Sequence, residues 1–361
     1  MNQKGNLRGR GVTGILRVKN DAGFIKGCVE SCISALDELV IVYNDCDDGS
    51  EAEIERVRLR YPDKVRVYEY PHAVLGTQLT KEQYEMACNM GDDSPHLLCN
   101  YYNFALEKVR TEYALKIDAD QIYFTDRLKL WCDFCRNVQV GRFTTVCLIG
   151  FMFQRYLSLY RMASLRLKRV LPMMPSWLVR RCYPAYVEYA KYLFSRDRAC
   201  LSMSGINAVR DGGWCVSLGR VSGETNILPP FNGEGDHVIF KVSATTYYRR
   251  FKMPYYNVQR KSSYSLIEEF VHPYRIMFVG FCWLHVCAMR PGTIGRVLSV
   301  KGHCPNAFES MRNFLCWDYE TILRHADKTM FSLFQRILFA FVYKAERNSL
   351  KHLLQEYYEA S

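Results

Sequence analysis

The feature that most constrains this chain is the segment from Tyr113 to Phe124, in which an apolar run ends in Asp118 and Asp120 and a second apolar run follows. Along an extended backbone, residues two positions apart lie on the same side, so both carboxylates are expected to face one direction. Two such carboxylates repel each other unless a cation lies between them, and oxygen ligands suit Mg²⁺ or Mn²⁺. An isolated Asp-x-Asp is also typical of a solvated acidic turn after a strand, so the surrounding elements must decide between the two interpretations.

The N-terminal part of the chain alternates between strand patterns and helix patterns. Strands are predicted at residues 12–19, 38–43, 65–70 and 113–117, and helices at residues 20–36, 51–61 and 100–111. This order is typical of an α/β layer built on a parallel sheet, whose ligands bind beyond the carboxyl ends of the strands. Asn20, Asp45 and Asp118 each follow the end of a predicted strand, so we expect a polar site at that edge of the sheet.

Composition and charge limit the partners and the compartment. The net charge of +11 favours anionic partners, but the basic residues form no recognisable nucleic-acid reading motif, so we expect no nucleic acid. The first ten residues lack the apolar core of a secretory signal, and fifteen cysteines then indicate free thiols in a reducing compartment. We therefore expect a cytoplasmic protein in which Cys132 and Cys135 are core thiols on a helix. No apolar run is long enough to predict a transmembrane helix.

With this order of elements, the first 130 residues resemble the nucleotide-sugar domain of GT-A fold glycosyltransferases, particularly the large family 2. Three pieces carry the resemblance, each at a strand end or leading into one: Val18-Lys-Asn20, Asp47-Asp-Gly-Ser50, and the run from Asn103 to Asp120. The acidic loop departs from the usual form of the family, because Asn44-Asp45-Cys46 intervenes between the strand and the loop.

The resemblance implies an α/β, GT-A (Rossmann-like) fold with a mostly parallel sheet flanked by helices, a helical basic insertion and a helical C-terminal region. We expect a nucleotide-sugar-binding half at residues 1–150 and a basic, aromatic helical insertion at residues 151–200. An acceptor-binding half is expected at residues 201–300, followed by a helical extension at residues 301–361.

The resemblance further implies a metal-dependent inverting glycosyltransferase that uses Mn²⁺ or Mg²⁺. It would move a sugar from a UDP-sugar donor to a hydroxyl of a cell-surface glycan or glycolipid acceptor. Asp120 would bind the metal directly, and Asp118 would share the metal or touch the ribose. The donor-binding residues implied in this way are Asn20, Asp45, Asp48, Asn103, Asp118 and Arg290. Either Asp45 or Asp48 would accept a hydrogen bond from uracil, although Asp48 is also a candidate helix N-cap.

Later residues supply the remaining candidates. Asp236, with Glu234 as the alternative, lies in a glycine-containing loop and would take the proton of the acceptor hydroxyl; both could instead cap a helix. His285 is a candidate metal ligand and Arg290 a candidate diphosphate clamp. His303 competes with His285 for the role of ligand, and a lone histidine on an apolar strand such as His285 is more often a hydrogen-bonded core residue.

The stretch of residues 155–198 leaves two interpretations open. It carries ten Lys or Arg and only two acidic residues, interleaved with apolar and aromatic residues. This pattern fits a helix lying in an anionic membrane interface, which would place the protein peripherally on the inner face of the membrane. It fits equally an insertion that packs on the catalytic domain with snorkelling basic side chains. The apolar residues 331–344 raise the same question.

Two other enzymatic functions remain open from the sequence. A sugar-phosphate nucleotidyltransferase has a related architecture, but its glycine-rich phosphate loop has no counterpart in residues 11–19. A retaining glycosyltransferase is also compatible with the fold, because stereochemistry cannot be inferred directly from these residues.

Overall fold

The computed structural model describes residues 8–76, 79–219, 228–233, 238–251, 255–256, 264–328 and 331–359. The chain divides into two compact units. The first unit comprises residues 1–138 and 236–274, and the second comprises residues 139–235 and 275–361.

The strands of the described residues are numbered in chain order. They are β1 (Gly9–Val18), β2 (Glu38–Tyr43), β3 (Val65–Glu69), β4 (Thr111–Asp118), β5 (Gln121–Tyr123), β6 (Ala199–Arg210), β7 (Trp214–Ser217), β8 (Val238–Lys241), β9 (Tyr247–Arg250), β10 (Tyr255–Tyr256), β11 (Tyr264–Ser265), β12 (Glu268–Val271), β13 (Arg275–His285) and β14 (Phe308–Ser310).

The α-helices follow the same convention. They are α1 (Ala22–Cys32), α2 (Ser50–Arg60), α3 (Lys81–Asn89), α4 (Leu98–Glu107), α5 (Thr125–Arg136), α6 (Thr145–Arg166), α7 (Ser176–Ser195), α8 (Pro291–His303), α9 (Met311–Cys316), α10 (Tyr319–His325) and α11 (Leu333–Glu359).

The first unit is built on a sheet with the strand order β8-β4-β1-β2-β3. β1 pairs in parallel with β2 and with β4, β2 pairs in parallel with β3, and β8 is antiparallel to β4. The register places Val18 opposite Tyr43 and Arg17 opposite Asp118, so β1, β2 and β4 end at the same edge. This arrangement confirms the predicted α/β fold with a mostly parallel sheet.

Apolar strands explain why this sheet lies inside the unit. Leu16, Ile41 and Leu115 on the three central strands are fully buried, as expected of parallel strands covered on both faces. The predicted strands and helices are present, with small differences at their ends. The helix predicted at residues 100–111 ends at Glu107, and Thr111 already begins β4.

The second unit contains its own strands and an aromatic core. β6 pairs in parallel with β13 and antiparallel with β7, which pairs antiparallel with β14. Phe231 is fully buried in this core, and the rings around it come from four other segments: Phe281, Phe314, Phe331, Phe339 and Tyr343. Because residues 331–344 contribute to this core, most of their apolar side chains are accounted for by packing.

Helices α6 and α7 cross closely within the second unit. At Gly150 on α6, an added Cβ would lie 2.7 Å from Cβ of Tyr189 and closer still to the carbonyl oxygen of Ala185 on α7. The hydroxyls of Tyr183 and Tyr186 donate to the backbone carbonyls of β13. These contacts fix α7 between α6 and the strand.

No helix among the described residues combines the length and the apolar character that a membrane span requires. The fifteen cysteines are free, and Cys132 and Cys135 are buried on α5, as predicted. Burial raises the pKa of the Cys132 thiol to about 12.

The helix crossing predicts a steric cost for a single methyl group. We expect Gly150→Ala to lower the free energy of unfolding by about 1–3 kcal/mol, because the new Cβ meets backbone atoms that cannot rotate away. Gly27→Ala on α1 is the matched control, since an added Cβ there contacts nothing within 4 Å; it should stabilise by about 0.5–1 kcal/mol. Urea unfolding measures both. An unfolding midpoint of Gly150→Ala at or above that of the wild type would contradict the close crossing.

Candidate active site

Two carboxylates lie where β4 ends in the first unit. Asp118 is the last residue of β4 and its side chain is partly exposed, whereas Asp120, in the turn between β4 and β5, is only 6% exposed. The thiol of Cys28 on α1 donates to the carbonyl of Asp118. Its pKa is raised well above its ordinary value by a hydrogen bond with Cys32 and by burial, and further by the charges of Asp120 and Asp118. The negative charges of both carboxylates therefore reach the buried thiol of Cys28.

The loops that follow β1 and β2 are joined by side-chain hydrogen bonds. The side-chain oxygen of Asn20 accepts from the backbone N–H of Asp47 at 2.9 Å, and the hydroxyl of Ser50 accepts from the N–H of Asp21 at 2.8 Å. One carboxylate oxygen of Asp48 accepts from the N–H of Ala22 at 3.0 Å. Because these contacts satisfy two backbone donors at the start of α1 and one in the loop after β2, they hold the two loops in one arrangement.

The carboxylate of Asp48 accepts hydrogen bonds from its own loop and from the start of α1. Its second carboxylate oxygen accepts from both the N–H and the hydroxyl of Ser50, at 2.9 and 2.6 Å. Although burial acts in the opposite direction, these hydrogen bonds and the one from Ala22 lower the pKa of Asp48 below its ordinary value. The N-cap position of α2 itself is occupied by Gly49, with φ of 86°.

Asp45 has a different environment in the same loop. Its side chain is 68% exposed and its carboxylate lies 3.1 Å from the Nζ of Lys19. Asp45 and Asn20 both adopt left-handed backbone conformations, with φ of 47° and 57°. Such conformations are uncommon outside glycine and are found where a loop must turn sharply near a site.

Arg17 is a residue of this edge that sequence reasoning missed. Its guanidinium lies 3.5 Å from the centre of the Tyr102 ring and 3.9 Å from the carboxylate of Asp118. Burial opposes its charged form, but Tyr102 and the neighbouring carboxylates raise the pKa of Arg17 above its ordinary value. Alternation along β1 contains no signal for this role, because Tyr102 lies on α4 and reaches Arg17 only after folding.

A buried ion pair involves Lys116, which lies two residues before Asp118 on β4. The Nζ of Lys116 is 3.3 Å from the carboxylate of Glu268 on β12, and both side chains are nearly inaccessible to solvent. Lys116 also lies 5.0 Å from the centre of the Tyr102 ring. A charge of this kind is costly to bury without a partner, so each side chain requires the other. The pair therefore links β4 to β12.

Asn103 is engaged by the backbone of β9. Its amide nitrogen donates to the carbonyl of Tyr248, and its amide oxygen accepts from the N–H of the same residue, both at 2.8 Å. Asn103 therefore joins α4 to β9, a role that the resemblance to a donor-binding asparagine did not suggest. Its predicted contact with the donor stays a prediction.

Two further predicted residues, His285 and Arg290, belong to the second unit. His285 ends β13 in the second unit, with Nδ1 2.5 Å from the side-chain oxygen of Asn207, and Arg290 precedes α8. His303 lies on α8, where its Nδ1 contacts the carbonyl oxygen of Ser299. Metal binding by His285 and diphosphate binding by Arg290 stay predictions. Asp236 and Glu234 lie outside the described residues.

Residues 10–159 match the family described as Beta-1,4-N-acetylgalactosaminyltransferase (CgtA). The matched segment includes Asp45, Asp118 and Asp120. The match covers 150 of the 361 residues, and the family is one of glycosyltransferases, as the resemblance predicted.

The solved structures similar to this chain include TarS from S. aureus, with 18% identity, a TM-score of 0.24 and coverage of 35% of this chain and 32% of that one. The mannosyltransferase PcManGT from Pyrobaculum calidifontis, in complex with GDP-Man and Mn2+, has 21% identity, a TM-score of 0.23 and coverage of 32% and 29%. Glucosyl-3-phosphoglycerate synthase from Mycobacterium tuberculosis, in complex with Mn2+, UDP and phosphoglyceric acid, has 18% identity, a TM-score of 0.21 and coverage of 32% and 34%. The chain thus spans about a third of the length of each. No curated protein matches the chain significantly.

The buried ion pair predicts strong coupling between two distant positions. We expect Lys116→Met to lower the free energy of unfolding by about 3 kcal/mol, because it leaves the carboxylate of Glu268 buried without its partner. The double variant Lys116→Met/Glu268→Leu should lose less than Lys116→Met alone, since neither charge then remains. Urea unfolding of the wild type, both single variants and the double variant measures the coupling. Additive effects of the two substitutions would show that the ion pair contributes nothing.

The hydrogen bonds of Asp48 predict a pH-dependent contribution to stability. Because the folded-state pKa of Asp48 is lowered, the contribution is complete above the unfolded-state pKa of about 3.9 and is lost as the pH falls through the folded-state value. Asp48→Asn should therefore destabilise by a few tenths to about 1 kcal/mol at pH 7, because solvent screens this exposed carboxylate, and by less as the pH approaches 3. Asp47→Asn, at the exposed neighbouring carboxylate, is the control. A difference between Asp48→Asn and the wild type that does not change with pH would rule out this account.

Proposed function

We propose that this glycosyltransferase moves a sugar from a UDP-sugar to a hydroxyl of a cell-surface glycan or glycolipid, with inversion at the anomeric carbon and with the help of Mn²⁺ or Mg²⁺. One observation carries the proposal: Asp118 and Asp120 lie at the end of β4, where β1 and β2 also end. Ligands of parallel sheets bind at this edge. The family match supports N-acetylgalactosamine as the first donor sugar to test.

The two carboxylates at the end of β4 suit a hard divalent cation. Asp118 and Asp120 offer carboxylate oxygens, which are the ligands that Mn²⁺ and Mg²⁺ prefer. A bound cation would supply positive charge against the negative charge that develops on the departing diphosphate. Arg17, beside Asp118, offsets part of the negative charge of the carboxylates and holds the end of β1 in place through Tyr102.

The geometry supports Asp45 over Asp48 as the residue that accepts a hydrogen bond from uracil. Both carboxylate oxygens of Asp48 accept hydrogen bonds from Ser50 or Ala22, so binding a base would require some of these to break. Asp45 is exposed and contacts Lys19, a flexible side chain that can move at little cost. The same exposed position gives Lys19 access to an anionic ligand.

The acceptor hydroxyl requires a base in an inverting reaction. We propose Asp236 for this role and Glu234 as the alternative, on the sequence of their loop alone. A carboxylate in this role would hold the hydroxyl and take its proton as the new bond to the anomeric carbon forms.

Asp120→Asn tests the proposal at the donor site. The wild-type chain should melt at a higher temperature with UDP and Mn²⁺ together, by the equivalent of about 2.7 kcal/mol when the ligand is at a hundred times its dissociation constant. Asp120→Asn should lose this increase, because one anionic ligand is removed while the shape of the side chain is kept. Its rate of UDP release from UDP-N-acetylgalactosamine with a glycan acceptor should fall about a hundredfold or more.

The control for this experiment is Asp63→Asn, an exposed aspartate in the turn before β3, which should keep both the thermal shift and the rate. A thermal shift in Asp120→Asn equal to that of the wild type would contradict the assigned site. Release of pyrophosphate from a nucleoside triphosphate and a sugar phosphate would favour the nucleotidyltransferase. Retention of the donor's anomeric configuration in the product, measured by NMR, would overturn the inverting mechanism.

A further inference from the structure

Helix α6 has an apolar face on each side. The face packed within the second unit includes Gly150, Phe153, Tyr160 and Ser164, all buried. The opposite face carries large apolar side chains that are about half exposed or more: Leu148, Met152, Leu159 and Met162, at 47, 60, 60 and 61%. Their spacing of four, seven and three residues places them in one stripe along the helix.

This stripe belongs to a concentration of exposed apolar residues. Eleven of the eighteen exposed large hydrophobic side chains in the described parts of the chain lie between residues 140 and 177. Trp177, near the start of α7, is among them and is 60% exposed. Scattered exposed apolar side chains need no explanation, but a continuous group of them marks an interaction surface.

The charge of the same region identifies the partner. Residues 139–187 contain eight Lys or Arg and no Asp or Glu. Two of the arginines, Arg155 and Arg166, are exposed and lie on the same face of α6 as the stripe, one within it and one beyond its last residue. Arg180 and Arg181 are exposed close to Trp177. Two copies of the chain meeting at this surface would bring together sixteen positive charges with no carboxylate between them, which is electrostatically unfavourable.

We propose that the outward stripe of α6, together with Trp177 and the surrounding arginines, binds the surface of an anionic phospholipid membrane. The helix would lie in the plane of the interface, with its apolar stripe among the acyl chains and its arginines beside the phosphates. Tryptophan prefers this depth, because its ring is apolar and its N–H is polar. The proposal concerns residues other than those at the edge of β4 and does not depend on the proposed sugar donor.

Vesicle binding by the chain of 361 residues tests the proposal. The wild type should bind phosphatidylcholine vesicles that contain phosphatidylglycerol about tenfold or more tightly than vesicles of phosphatidylcholine alone, and 0.5 M salt should weaken this binding. Met152→Glu/Leu159→Glu should bind the anionic vesicles about tenfold or more weakly. Leu59→Glu/Leu130→Glu is the matched control, since both side chains are at least as exposed and the charge change is the same; its binding should stay within about twofold of the wild type.

The fluorescence of Trp177 gives a second readout at the same surface. Emission should shift to shorter wavelength on addition of anionic vesicles, because the indole is withdrawn from water. Trp177→Phe should remove most of this shift, because the responding indole is then absent. Arg155→Gln/Arg166→Gln should weaken the binding and reduce its dependence on salt.

Three results would overturn the proposal. The first is that the wild type does not bind anionic vesicles. The second is that the control variant loses as much binding as Met152→Glu/Leu159→Glu. The third is that the chain is a dimer in solution, binds no vesicles, and becomes a monomer when the stripe is substituted, which would assign the surface to a second copy. Unchanged thermal unfolding of each variant shows that its effect is local.

Discussion

The parallel pairing of β1 with β2 and with β4 determines which loops of the first unit can meet. Since the register sets Val18 opposite Tyr43 and Arg17 opposite Asp118, three strands end together. A shift of one residue would turn every side chain of a strand to the other face of the sheet. The loops that leave this edge then satisfy each other's backbone donors, with Asp48 as the most connected side chain. The carboxylate edge is thus a consequence of strand register.

Charge beneath this edge is balanced by residues from distant parts of the chain. Arg17 and Lys116 lie on neighbouring strands and both approach the ring of Tyr102. Their negative partners are Asp118, at the sheet edge, and Glu268, from β12. Because buried charges are tolerated only with partners, this cluster restricts how β4 and β12 can pack. The end of β4 is therefore held by ion pairs as well as by its backbone hydrogen bonds.

One basic, aromatic segment of the second unit is packed on one side and exposes apolar side chains on the other. Residues 155–198 were compatible with a membrane interface or with a packed insertion. Tyr183 and Tyr186 bind the backbone of β13 through their hydroxyls, and Gly150 lets α6 and α7 approach closely, so the segment is packed. The opposite face of α6 nevertheless keeps apolar side chains in solvent, as Leu159 shows. Packing uses one face of α6, and the proposed membrane contact uses the opposite face.

Local patterns in the sequence determined the order of strands and helices in the first unit and the position of Asp118 and Asp120, because periodicity and turn residues act over a few positions. Only the tertiary structure decided which acidic side chain of the second loop is engaged by hydrogen bonds, and that Asn103 is held by β9. It also decided the pairing of Lys116 with a carboxylate 152 residues away. Such contacts depend on the three-dimensional packing of separate elements, and no local pattern encodes them.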